Sequence, residues 1–213
     1  MESSVLLLAI AWSVYFFVHS LSASESFKGA WKRWFPRLWP RYRLFYNIFA
    51  TVSILGPLGA LGLMDNTDLL LPRPPVVDWG LDALCVCAIA AMIWSARRYD
   101  MGAFTGVRPV IASARTVSDD GAPLNVSGLN RYVRHPWYAF ALIIVWSRPL
   151  DIGWLISALA ITAYIVVGSR FEARKLVNVY GARYVAYQRE VNAFLPAPGK
   201  VLSPSRAREL ESA

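Results

Sequence analysis

Residues 136–169 read PWYAFALIIVWSRPLDIGWLISALAITAYIVVGS, two apolar segments, 136–150 and 152–169, that are separated by little more than Asp151. At about 1.5 Å per residue, a helix over either segment is only about 20–27 Å long. The two segments therefore predict a tight helical hairpin that reaches a membrane face at Asp151, since the apolar core of a bilayer is about 30 Å thick.

Three further apolar stretches, 5–21, 44–64 and 76–96, are each close to the roughly 20 residues that a spanning helix needs. Hydrophobic residues make up 56% of the chain and charged residues only 17%. The first stretch lacks the basic start of a signal peptide and carries Glu2, so we expect it to be a span. The sequence thus predicts an all-α, polytopic integral membrane protein with about five transmembrane helices.

The formal charge of +8 could suggest a nucleic-acid partner, but its placement indicates membrane topology instead. The connection after the first span carries six cations against Glu25, namely Lys28, Lys32, Arg33, Arg37, Arg41 and Arg43. The next connection carries Asp65, Asp68 and Asp78 against Arg73. Because basic loops stay in the cytoplasm, we expect the N-terminus outside and the C-terminus inside, in the inner membrane of a bacterium, with membrane lipids and no nucleic acid as partners.

The predicted organisation is a three-helix membrane region over 1–97, a region with the hairpin and a C-terminal cytoplasmic amphipathic helix over 98–200, and a frayed polar tail over 201–213. Cys85 and Cys87 are two residues apart and point away from each other on a helix, so they predict small core residues and no disulfide. We expect no metal site from these residues.

The entrance to the fourth span, Gly128-Leu129-Asn130-Arg131-Tyr132-Val133-Arg134-His135-Pro136, combines cations with a helix start. Pro136 fits the first helical turn, where its missing N–H costs nothing. Arg131, Arg134 and His135 add positive charge to the free N–H groups of that turn, which suits a carboxylate or a phosphate. The alternative is an anchor for lipid head groups.

A second set of polar residues follows the fifth span. Tyr180, Tyr184, Tyr187 and Val191 are spaced to form one stripe on a helix, either an interfacial helix with an aromatic face or a wall for a flat group such as adenine. Glu172 can hold a ribose, an ammonium or a sulfonium. The short hairpin brings the end of its second helix, with Glu172, beside Arg134 and His135.

The pattern Gly-Leu-x-Arg-Tyr-Val-Arg-His-Pro-x-Tyr, the hairpin, Glu-x-x-x-Leu, Tyr-Gly-x-x-Tyr-x-x-Tyr and Val-x-x-Phe-Leu-Pro resembles the isoprenylcysteine carboxyl methyltransferase superfamily over about residues 124–196. The stretches 146–150 and 161–165 are most similar to the bacterial branch that contains methanethiol S-methyltransferases. The N-terminal stretches 19–24 and 42–47 are similar to that branch and to NnrU-like membrane proteins. The chain departs from the pattern at Asn130, Phe140, Ala173 and Asn192, where relatives usually carry Tyr, Gly, Glu and Pro.

The resemblance implies methyl transfer from S-adenosylmethionine to a small thiol or a lipophilic, isoprenylcysteine-like acceptor. Arg134 and Glu172 are then the expected catalytic residues. The expected cofactor-binding residues are Tyr132, Arg134, His135, Pro136, Tyr138, Glu172, Tyr184 and Tyr187. Within this assignment Arg134 binds the methionine carboxylate, Glu172 the ribose or the cationic side, and the tyrosines the adenine.

Other readings remain open from the sequence. The NnrU-like resemblance implies a haem protein in which His19 and His135 are the axial ligands. The Arg-His-Pro hairpin also resembles sterol reductases, which use a nicotinamide cofactor, and a lipid-binding protein without catalysis is a further alternative. The sequence does not identify the methyl acceptor or the oligomeric state.

Overall fold

The computed structural model describes residues 2–64, 68–97, 100–108 and 124–212, and every regular element in these ranges is helical. Two short 3-10 helices, Trp39–Arg41 and Gly128–Arg131, accompany ten α-helices. The α-helices are α1 (Glu2–Ala23), α2 (Glu25–Trp34), α3 (Tyr42–Ser53), α4 (Leu55–Gly62), α5 (Pro75–Ala96), α6 (Met101–Thr105), α7 (Pro136–Ser147), α8 (Ile152–Tyr180), α9 (Ala182–Glu190) and α10 (Pro204–Ser212).

Four segments are long and apolar enough to cross a membrane: Glu2–Ala23, Trp39–Gly62, Pro75–Ala96 and Ile152–Tyr180. Only 11–22% of the residues in their most apolar stretches are buried inside the protein, as expected where lipid is the solvent. The remaining predicted span, the fourth along the chain, corresponds to α7, whose 12 residues cover only about 18 Å. An integral membrane protein with four spanning helices is therefore what the structure supports, and a fifth crossing stays a prediction.

Local sequence explains where these helices begin and end. Pro57 has no N–H to continue the ladder of α3, and that helix ends at Ser53, shortly before it. Ser24 caps α2 by accepting a hydrogen bond from the N–H of Phe27 at 3.2 Å. Asp151, predicted only as the hairpin turn, caps α8, because its Oδ1 accepts from the N–H of Trp154 at 2.7 Å.

The described residues fall into two compact units that interleave along the chain. The first unit contains the described residues of Met1–Arg73, Arg97–Val117 and Pro149–Ile161. Its core is formed by Leu8 and Trp12 of α1 with Ala60 and Met64. The Trp12 indole N–H donates to Ser157 Oγ at 3.0 Å, which joins α1 to the beginning of α8.

The second unit contains the described residues of Pro74–Ala96, Ser118–Arg148 and Thr162–Ala213. In this unit α7 packs against α5, and the Trp137 indole N–H donates to Ser95 Oγ at 2.9 Å. The Trp146 indole N–H donates to Thr162 Oγ1 at 3.0 Å, which pairs the end of α7 with the latter part of α8. This part of the predicted hairpin is present in the structure.

The C-terminal tail differs from its prediction. Residues 201–213 were expected to be frayed, but Pro204–Ser212 forms α10, whose Ala207 and Leu210 are 2% and 4% exposed. Both side chains pack with Leu124, Val126, Tyr184, Tyr187, Val191 and Leu202 in the core of the second unit. The two apolar residues are three positions apart in a polar segment, which is the minimal signal of an amphipathic helix.

The predicted tyrosine stripe is divided by Gly181. This residue has φ +59°, a left-handed conformation that glycine adopts without strain, and it separates α8 from α9. Tyr184, Tyr187 and Val191 still share one face, but that face lies in the core described above. An interfacial helix with this aromatic face turned to the membrane is not what the structure shows.

Candidate functional site

The segment before α7 is fixed on both sides by backbone hydrogen bonds. The N–H groups of Arg134 and His135 donate to the carbonyls of Asn192 and Ala193 at 2.8 and 2.9 Å. Arg131 and Leu202 are joined twice, by a backbone bond of 3.0 Å from the Leu202 N–H and by a 2.8 Å bond from the Arg131 Nε. These bonds fix the backbone that carries the Arg134 and His135 side chains. The backbone N–H groups of both residues are already bonded within the protein.

A cleft of about 580 Å³ adjoins this support within the second unit. Its volume lies in the range of sites for small organic molecules and cofactors. The described residues that line it are Arg134, His135, Val166, Ser169, Arg170, Ala173, Arg174, Val177, Asn178, Gln188, Ala193 and Phe194. Three of these side chains are guanidinium groups and none of them is a carboxylate, so the cleft has a positive lining.

Arg134 has two donors with no protein acceptor. Its Nε and Nη1 atoms are buried, and neither has a hydrogen-bond partner among the residues that the structure describes. Its guanidinium also acts on the nearby Tyr184 hydroxyl through charge and hydrogen bonding. A buried charged donor without an acceptor costs more than a normal hydrogen bond gains, so these atoms are suited to an anionic ligand group.

His135 and Glu172 form the second element of the site. His135 Nδ1 lies 3.4 Å from Glu172 Oε2, and the imidazole is 6% exposed while the carboxylate is 43% exposed. Burial and, to a smaller extent, the Arg134 charge together lower the pKa of His135 from 6.5 to about 4. Although a carboxylate favours a protonated imidazole, burial outweighs it here, so a neutral His135 orients Glu172.

The remaining predicted residues of the entrance surround this pair in different ways. Pro136 is buried at the first position of α7. The Tyr138 ring stacks on His135, with ring centroids 5.3 Å apart. Tyr132 is 47% exposed beneath the Arg131 guanidinium, which lies 5.6 Å from its ring centroid, and it does not line the cleft.

Tyr184 and Tyr187 lie in the core rather than in the cleft lining, and they are 2% and 3% exposed. The Tyr187 hydroxyl donates to the Asn130 carbonyl at 2.6 Å. Burial raises the pKa of Tyr184, and Arg134 and Glu172 change that pKa in opposite directions. The packed rings account for the spacing of the tyrosines, and their assignment as an adenine wall stays a prediction.

Sequence reasoning missed most of the cleft face of α8. Val166, Ser169, Arg170, Ala173, Arg174 and Val177 recur at intervals of three and four residues, the spacing of one helical face. Glu172 was identified because few polar residues lie near the spans, whereas this periodicity was the available signal for the face. The loop residues Ala193 and Phe194 gave no such signal.

Three departures from the motif pattern have clear structural settings. Asn130 and Asn192 are bonded through their backbone carbonyls, which any residue supplies. Ala173 lines the cleft, where its small side chain leaves room and contributes no charge.

The two histidines of the haem alternative each have a ring nitrogen engaged by the protein. His19 Nε2 lies 2.8 Å from the Tyr46 hydroxyl, and His135 Nδ1 faces Glu172 as described above. Among the described residues there is no group of three or more histidine, cysteine or acidic side chains that could hold a metal ion.

The chain is similar to curated proteins along most of its length. It is 26% identical over 189 residues to a methanethiol S-methyltransferase of Crocosphaera subtropica, which covers 85% of this chain and 71% of that protein. It is 29% identical to the methanethiol S-methyltransferases of Pseudomonas deceptionensis (84% of this chain, 68% of that protein) and Mycobacterium tuberculosis (84% and 73%). No family model and no solved structure matches the chain.

These similarities confirm the resemblance that the motifs indicated and the enzyme class, methyltransferase, that followed from it. They extend beyond the motif region, because they cover most of the chain.

Proposed function

We propose that this membrane protein transfers a methyl group from S-adenosylmethionine to a small thiol, and that the cleft beside Arg134 binds both reactants. The observation that carries the proposal is Arg134, whose buried Nε and Nη1 have no acceptor among the described residues. The similarity to methanethiol S-methyltransferases supports the same chemistry.

The donor set fits the charges of the proposed cofactor. S-adenosylmethionine has one carboxylate, for which Arg134 supplies charged donors. Its ammonium group and ribose hydroxyls are suited to an acceptor such as Glu172, whose partly exposed carboxylate adjoins the cleft through His135. The apolar side chains of Val166, Val177 and Phe194 provide surface for the rest of the molecule.

When bound, the cofactor would supply an electrophilic methyl group on a sulfonium; in-line attack by the thiolate would form the methyl thioether and release S-adenosylhomocysteine. The protein's part is to hold the two reactants in that line and to exclude water. The backbone bonds of Arg134 and His135 to Asn192 and Ala193 hold in place the segment whose Arg134 side chain would bind the cofactor carboxylate. Neutral His135 contacts Glu172 without adding a further positive charge to the cleft.

The positive lining favours the reactive form of the acceptor. A thiol reacts as its thiolate, and neighbouring cations lower a thiol pKa from its usual value of about 8.5. Arg170 and Arg174 line the cleft on the same face of α8 and supply that charge. His135, with its pKa of about 4, is too weak a base to take the thiol proton, so ionisation follows from the cationic surroundings.

A small thiol fits this site better than an isoprenylcysteine-like acceptor, which remains the second candidate. A carboxylate acceptor needs no deprotonation, so the cationic lining gives it no advantage in ionisation. The topology with the cleft on the cytoplasmic face belongs to the same proposal and rests on the loop charges.

The proposal is tested by methyl transfer from tritiated S-adenosylmethionine with detergent-purified protein. Separate reactions contain methanethiol, a farnesylated cysteine or no acceptor. We expect label in the methanethiol product, and a loss of about tenfold or more in Arg134→Lys, which keeps the charge but loses the guanidinium donors.

Arg189→Lys is the matched control, because Arg189 is an exposed residue of α9 that does not line the cleft. If only the farnesylated cysteine is methylated, the acceptor is isoprenylcysteine-like and not a small thiol. The absence of transfer to both acceptors would overturn the proposed function.

A further inference from the structure

The connection between the first two spanning helices forms an exposed surface that methyl transfer does not use. Only Ser24 separates α1 from α2, and the next spanning segment begins at Trp39. The chain between these points leaves and re-enters the membrane within 15 residues, so it has to lie at the level of the lipid head groups.

This segment has the composition of an interfacial element. None of the ten residues of α2 is buried, and residues 32–38 form an unbroken exposed run, Lys32-Arg33-Trp34-Phe35-Pro36-Arg37-Leu38. Trp34 is 70% exposed, while Phe35 and Leu38 are 46% and 42% exposed. Cations beside large apolar side chains on one exposed run are typical of segments that insert rings into a bilayer surface and keep charges at the head groups.

The segment carries a large excess of positive charge. Lys28, Lys32, Arg33, Arg37 and Arg41 stand against one carboxylate, Glu25, which is bound to Lys28 at 2.9 Å. That pair leaves four cations to act on their surroundings. A neutral interface would not need such an excess, whereas anionic head groups are attracted by it over about a Debye length.

A cluster of aromatic side chains stabilises the conformation of the exposed residues 32–38. Trp31 contacts Phe35 and Tyr42, with ring centroids 5.0 and 5.5 Å apart, and Trp39 stacks on Tyr42 at 5.7 Å. The Lys32 ammonium lies 5.5 Å from the Trp39 ring centroid. The turn between α2 and Trp39 is therefore a preformed surface within the first unit.

We propose that residues 25–41 form a docking surface for anionic phospholipid head groups in the leaflet at which α1 ends. Arg33 and Arg37 bind the head-group phosphates, while Trp34, Phe35 and Leu38 enter the outer acyl region. This inference does not depend on the reaction that the cleft catalyses.

The test uses full-length protein in a neutral detergent and native mass spectrometry with phosphatidylglycerol or phosphatidylcholine of the same acyl chains. We expect phosphatidylglycerol to bind more tightly than phosphatidylcholine, by about tenfold, and the difference to shrink as salt is raised. Arg33→Gln/Arg37→Gln should reduce this preference by about fivefold or more, because each surface cation contributes a few-fold factor.

Arg189→Gln/Arg208→Gln is the matched control, since it removes the same charge from exposed positions in α9 and α10. Thermal unfolding of both double variants should match that of the wild type, because none of the four side chains is buried. Equal binding of the two lipids by the wild type, or an equal loss of preference in both double variants, would overturn the proposal.

Discussion

The buried imidazole of His135 makes the protein sensitive to mild acid in a way that can be calculated. Burial and the Arg134 charge lower its pKa from 6.5 to about 4, so the folded protein resists a proton that the unfolded chain accepts. The unfolded state therefore binds more protons between these two pH values, and the free energy of unfolding falls as the pH falls. The slope is about 1.4 kcal/mol per pH unit, which gives about 2 kcal/mol between pH 6.5 and pH 5.

Replacing His135 by glutamine removes this contribution but keeps a backbone N–H for the bond to Ala193. We expect His135→Gln to lose less stability than the wild type between pH 7 and pH 5, measured by thermal or denaturant unfolding in detergent. A wild type as stable at pH 5 as at pH 7, or an unchanged pH dependence in His135→Gln, would refute the reasoning.

Three further substitutions test other parts of the second unit. Tyr187→Phe removes the 2.6 Å hydrogen bond to the Asn130 carbonyl and should cost about 1 kcal/mol of unfolding free energy in denaturant titrations. Leu210→Ala should cost about 3 kcal/mol in the same assay, because the side chain is 4% exposed in α10; no change would indicate the frayed tail instead. Ala173→Leu should weaken binding of S-adenosylhomocysteine in calorimetry by about tenfold while the unfolding transition stays in place, and unchanged affinity would remove Ala173 from the site.

Much of the helical architecture is predictable because a membrane span needs length and apolarity that few other segments have. The four long helices coincide with predicted stretches, and Asp151 and Pro136 lie at helix starts, as their chemistry favours. The end of α8 was missed, since the helix continues for eleven residues beyond Ser169 into a charged segment that hydropathy does not detect. The burial of α10 was missed because only two apolar residues anchor it.

The part of the candidate site around His135 and Glu172 was predictable because such residue types are rare near membrane spans. His135 and Glu172 meet as expected, because α7 and the latter part of α8 lie side by side. The tyrosine stripe allowed two interpretations, since a helical row of rings fits a core as well as a ligand wall. The structure packs Tyr184 and Tyr187 in the core with α10, and their role as an adenine wall stays a prediction. The bonds of Arg134 and His135 to Asn192 and Ala193 join residues far apart in sequence through backbone atoms, which leave no trace in side-chain patterns.

The central claim is that Arg134 in the cleft and Glu172, which adjoins the cleft through His135, form a cofactor site. Isothermal titration of the detergent-purified protein with S-adenosylhomocysteine tests it most directly. The account predicts binding by the wild type and by Arg189→Ala, with a loss of about tenfold or more, at least about 1.4 kcal/mol, in both Arg134→Ala and Glu172→Ala. No measurable binding by the wild type, or equal affinity in all four proteins, would contradict it.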